Sequence, residues 1–89
     1  MDNFLPNRHS DEQLEAILCE TGHWVVNGRQ GQVLCDAASL RQAIDRSKEL
    51  SDSGATVIAI CRLPSDNIVV FSEQIARLQQ KIIVRELIS

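Results

Sequence analysis

"HWVVNGRQGQVLCDA", residues 23–37, is the stretch on which the fold turns. His23 to Asn27 is β-branched and aromatic, and Gln32 to Asp36 is again strand-like. Between them, Asn27-Gly28 and Gly31 tolerate positive φ, so the chain can reverse on itself. The stretch therefore predicts a β-hairpin. Strand alternation places Trp24 and Val26 on one face of the first strand, and Val33 and Cys35 on one face of the second.

Working outward, Ser10 is placed to cap a helix. Gln13 stands three residues on, and Asp11 and Glu12 fill the first turn, where the helix dipole favours carboxylates. Leu14, Ile17 and Leu18 form its apolar stripe, and Thr21-Gly22 is its stop, so a helix is expected over residues 11–20. Residues 1–9 are expected to form a flexible lead. Downstream of the hairpin, Ser39 and Gln42 repeat the capping pattern. Leu40, Ala43, Ile44, Ser47 and Leu50 keep helical spacing, and Ser51-Asp52-Ser53-Gly54 ends that helix. Residues 56–63, with Val57 to Cys61 all apolar, and residues 68–71 are expected to be the third and fourth strands. Pro64-Ser65-Asp66-Asn67 between them is a tight turn, since proline presets φ for its first central position. Ser72 caps a last helix.

The predicted order is α-β-β-α-β-β-α over residues 10–89, a single α+β domain. Its four-stranded, largely antiparallel sheet carries helices packed on it. The first hairpin alternates apolar and polar residues. The second is apolar on both faces, with Val57, Ala59 and Cys61 on one and Ile58 and Ile60 on the other. Strands apolar on both faces are buried on both. The last helix, or another copy of the chain, is expected to cover the second face.

The run Trp-Val-Val, Gly-x-Val-Leu, a Ser-capped Ala/Ile helix, Val-Ile-Ala-Ile and Ile-Val-Val resembles small uncharacterised bacterial domains of the strand-strand-helix-strand-strand type. The resemblance spans residues 23–71 and leaves both terminal helices outside it. It implies the fold and carries no catalytic residue.

With 89 residues the chain buries only about 60–65% of its unfolded surface, so its core is modest. Phe4, Trp24 and Phe71 are its aromatics, which makes that core aliphatic. A net charge of −3 argues against a polyanion as main partner. Cys19, Cys35 and Cys61 are scattered and lie among apolar neighbours, as reduced structural thiols do. There is no signal-peptide pattern and no membrane-spanning apolar run, so a cytoplasmic protein is expected, with no membrane partner.

Catalytic patterns are thin. His9-Ser10-Asp11 holds three triad residue types, but contiguous residues cannot form the relay, and Ser10 serves as a cap. Cys19 and His23, even with Cys35, Cys61 and His9, give no tetrahedral spacing for zinc. Gly28-Arg29-Gln30-Gly31 joins strand to strand, whereas a phosphate cradle opens a helix. Asp36, Asp45, Asp52 and Asp66 show no pairing by spacing, so no general-acid pair is seen. No enzyme activity, metal or cofactor is expected.

The tail "FSEQIARLQQKIIVRELIS", residues 71–89, holds the remaining candidates. As a helix it sets Ile75, Leu78, Ile82, Ile83, Val84, Leu87 and Ile88 on an apolar surface wider than one sheet contact needs. The excess points to an interface with a symmetry mate, hence a homodimer, or with another protein partner. Arg77, Lys81 and Arg85 form a basic ridge which, with Arg62, is the candidate anion contact. Residues 81–88 are also β-prone, and periodicity cannot decide so short a run. The function expected is that of a small interaction or regulatory module that self-associates. The alternative is a nucleic-acid or anion binder that uses the basic ridge.

Overall fold

The computed structural model describes residues 9–63 and 68–88, the side chain of Ile88 excepted. The expected lead, apart from His9, and the expected turn at residues 64–67 lie outside the described residues. The elements are α1 (Asp11–Ala16), β1 (Thr21–Gly28), β2 (Val33–Ser39), α2 (Leu40–Asp52), β3 (Val57–Leu63), β4 (Val69–Phe71) and α3 (Ser72–Ile88). Their order matches the expectation, and the tail is helical to residue 88.

The caps show why the helices begin where they do. Ser10 Oγ accepts the Gln13 N–H at 3.1 Å, and Gln13 Oε1 accepts the Ser10 N–H at 2.8 Å. Ser39 Oγ accepts the Gln42 N–H, but Gln42 Oε1 reaches one residue further back, to the N–H of Ala38. At α3 the capping bond is not made by Ser72, which is already helical. Gln74 Oε1 accepts the N–H of Phe71 instead. Helix α1 is shorter than expected. After Ala16 the bonds tighten to Ile17 N–H→Leu14 O and Leu18 N–H→Glu15 O. That turn buries Leu18 and aims its carbonyl at the Arg41 N–H, 2.9 Å away, so a tertiary bond ends the helix.

The sheet order is β2-β1-β3-β4, antiparallel throughout. In the first hairpin Gly28 N–H bonds to Gln32 O at 2.8 Å, and Gly31 has a φ of 81° that a side chain would strain. Strand β1 lies between β2 and β3, so Trp24, Val25 and Val26 are all buried. The expected apolar-polar alternation of the first hairpin fails here for that reason.

Two register shifts also turn side chains to unexpected faces. Cys35 pairs with Val26 but Val33 pairs with Asn27, so Val33 and Cys35 do not share a face. Val57 pairs with Gly28 and Ala59 with Asn27, which leaves Ile58 unpaired and 41% exposed while Val57 packs on the core.

That core gathers Trp24, Val26, Ala37, Ile60 and Val70 of the sheet against Leu14, Leu40, Ile44, Ile75, Leu78 and Ile82 of the helices. The three helices thus share one face. Pleat alternation puts Val25, Ala59, Cys61, Val69 and Phe71 on the other, where Val25 and Cys61 are cross-strand partners. The expectation that α3 covers this second face is corrected. Helix α3 packs beside α2 on the first, because Ile75, Leu78 and Ile82 align on its inner side.

Candidate functional site

Helix α3 presents three ridges. The inner one is Ile75, Leu78 and Ile82, at most 6% exposed and part of the chain's own core. These three candidate interface residues are therefore already occupied. The outer ridge carries Ile83, Val84 and Leu87, exposed by 40, 45 and 79%. Spacings of three and four residues put them on one side of the last two turns. Ile88, the remaining interface candidate, has its side chain outside the described residues.

The third ridge is basic, and it faces α1. Arg77 donates to both oxygens of Asp11, Nε to Oδ2 at 2.6 Å and Nη2 to Oδ1 at 3.2 Å. Lys81 Nζ lies 2.6 Å from Glu15 Oε2, and Arg85 Nη2 lies 3.1 Å from Glu15 Oε1. The Arg77 bond holds the Asp11 carboxyl below its ordinary value of 3.8, and Arg77 and Lys81 are each raised by the carboxylate they meet. Arg62, the fourth candidate anion contact, stands apart from this ridge. Its guanidinium lies 6.0 Å from the centre of the Trp24 ring, at the limit of a cation–π contact.

Gln74 anchors the start of this arrangement and was invisible in the sequence. It is 1% exposed, yet each of its groups is bonded. Nε2 donates to His9 O at 2.7 Å and Asp11 Oδ1 at 3.2 Å, while Oε1 accepts from Phe71. A buried amide without these bonds would be costly. The ion pairs did leave a signal in the sequence: Asp11 and Glu15 repeat, four residues apart, the spacing of Arg77 and Lys81.

On the other flank of α3, Glu86 pairs with Arg41, which also meets Asp45 at 3.4 Å. A cleft of about 220 Å³ opens among α1, α2 and α3, lined by Glu15, Cys19, Arg41, Arg85 and Glu86. Each charged group in it already has a partner in the chain.

The other singled-out residues are dispersed. Ser10 is a cap, and His23 Nε2 lies 3.3 Å from Asp36 on the sheet. Cys19 is exposed, Cys35 half-buried and Cys61 buried, and burial raises the Cys35 thiol. Among the described residues no three His, Cys, Asp or Glu side chains gather as a metal site would require. No helix there is long and apolar enough to cross a membrane. Comparison of the chain with protein-family models, curated proteins and solved structures finds no match.

Proposed function

We propose that this domain acts through protein–protein contact, as a self-associating interaction module of the cytoplasm. The observation that carries the reading is the outer ridge of α3. Ile83, Val84 and Leu87 face solvent on consecutive turns, while the neighbouring charges are engaged inside the chain. What this surface offers a partner is apolar contact. A second copy of the chain is the partner proposed, because a two-fold axis sets one such ridge against its own equivalent and each residue counts twice.

The nucleic-acid alternative needs cations free to neutralise phosphates. Arg77, Lys81 and Arg85 are instead matched to Asp11 and Glu15.

Sedimentation equilibrium tests the proposal. The expected mass is twice that of the chain and insensitive to salt, and Val84→Glu with Leu87→Glu should return it to one. A single-chain mass at every concentration overturns self-association. Salt-sensitive binding to mixed DNA or RNA, lost when Arg77, Lys81 and Arg85 become glutamine, would establish the alternative.

A further inference from the structure

The pairing of α1 with α3 carries an inference independent of self-association. Helix α1 has six residues, about half the length at which an isolated helix holds in water. Among the described elements α3 is its nearest backbone neighbour, and Leu14 reaches past it into the core shared with the sheet and α2. Its form is therefore imposed by docking, through a short list of contacts. Leu14 is wholly buried, Asp11 meets Arg77, and one turn later Glu15 meets Lys81. The two helices run in the same direction, turn matched to turn.

The match is incomplete at its end. Glu15 serves both Lys81 and Arg85, because the chain leaves the helix after Ala16 and the next turn offers Cys19, which carries no carboxylate. The three cations keep side-chain exposures of 52, 48 and 64%, the largest at Arg85. A longer helix with a third acid, four residues beyond the position of Glu15, would give Arg85 a carboxylate of its own.

We propose that the Arg77–Lys81–Arg85 ridge is a docking site for an acidic amphipathic helix from a partner protein, and that α1 is the chain's own occupant of it. The pattern recognised is acid, two residues, leucine, acid, three residues, acid. The partner displaces α1 by supplying the third acid, so α1 sets the threshold for binding. Charge complementarity selects the acids, and the buried position of Leu14 selects the aliphatic residue between them.

The probe is a fluorescent peptide with the sequence of residues 9–20 carrying Cys19→Glu, titrated against the full chain. It should bind, and at least about tenfold more weakly when Lys81 and Arg85 are both replaced by glutamate or when Leu14 of the peptide is replaced by aspartate. Hydrogen exchange in α1 should rise on peptide binding, while α2 and β1 keep their protection. Asp11→Asn with Glu15→Gln in the protein weakens the resident helix and should tighten binding, with Trp24 fluorescence reporting that the fold is kept. Should that variant unfold, the exchange measurement on the unaltered chain decides. No binding, binding that leaves α1 protected, or tighter binding of mixed-sequence RNA than of the peptide would each overturn the proposal.

Discussion

Two leucines on α3 offer a controlled comparison. Leu78 is fully buried in the core and Leu87 is 79% exposed, so Leu→Ala makes the same chemical change at both places in the same helix. At Leu78 the loss comprises the transfer of the side chain and the cavity left behind, about 2–5 kcal/mol. At about 0.05–0.15 kcal/mol per residue, 89 residues give a total stability of about 4–13 kcal/mol, so Leu78→Ala removes a large share of it. For a domain of this size each kcal/mol shifts the melting temperature by about 4–8 °C, which puts the expected fall at about 8–40 °C. Leu87→Ala should stay within about 0.5 kcal/mol when measured on dilute protein. Urea titration followed by Trp24, the sole tryptophan and only 2% exposed, reads both variants. Equal costs at the two sites would refute the assignment of inner and outer ridges. A cost at Leu87 that grows with protein concentration would place that residue in the self-association contact.

Truncation after Gln80 removes buried Ile82 together with exposed Ile83 and Val84, each of which still covers part of its surface against the chain, about 3–6 kcal/mol in all, so the shortened chain should unfold or aggregate; unchanged melting would deny the tail a structural role. Ser39→Ala leaves the Gln42 N–H without its acceptor and should cost about 1 kcal/mol in the same urea assay. Thiol labelling of the native protein should run in the order Cys19, Cys35, Cys61, and rapid labelling of Cys61 would contradict its place in the sheet. The folded-state pKa of Asp11 is lowered, so its contribution is complete above the ordinary value of 3.8 and is lost as the pH falls below it. The Arg77 side-chain NMR resonance should therefore shift in that acid window, and Asp11→Asn should abolish the step.

Much of the fold was legible because its causes are local. Ser10 with Gln13 and Ser39 with Gln42 act across three residues, and the turn at Gly28 and Gly31 closes within five. Helical spacing in the tail likewise gathered Ile75, Leu78 and Ile82 on one line. None of this required knowledge of where a distant segment lies. Composition also excluded a large aromatic core and a strongly basic surface without any coordinates.

The tertiary structure decided what those elements meet. The basic ridge reads as a free anion site until Asp11, sixty-six positions earlier, is brought against Arg77. Gln74 reads as a surface amide until the backbone of His9 arrives to accept its hydrogen bond. The register shifts that part Val33 from Cys35 and turn Ile58 outward arise from pairing with β1, and no periodicity within β2 or β3 announces them. Helical spacing defines a ridge but not its neighbour. Which ridge of α3 faces the core, which faces α1 and which is left to solvent follows from packing all three helices on one face of a twisted sheet, a condition the whole chain satisfies at once.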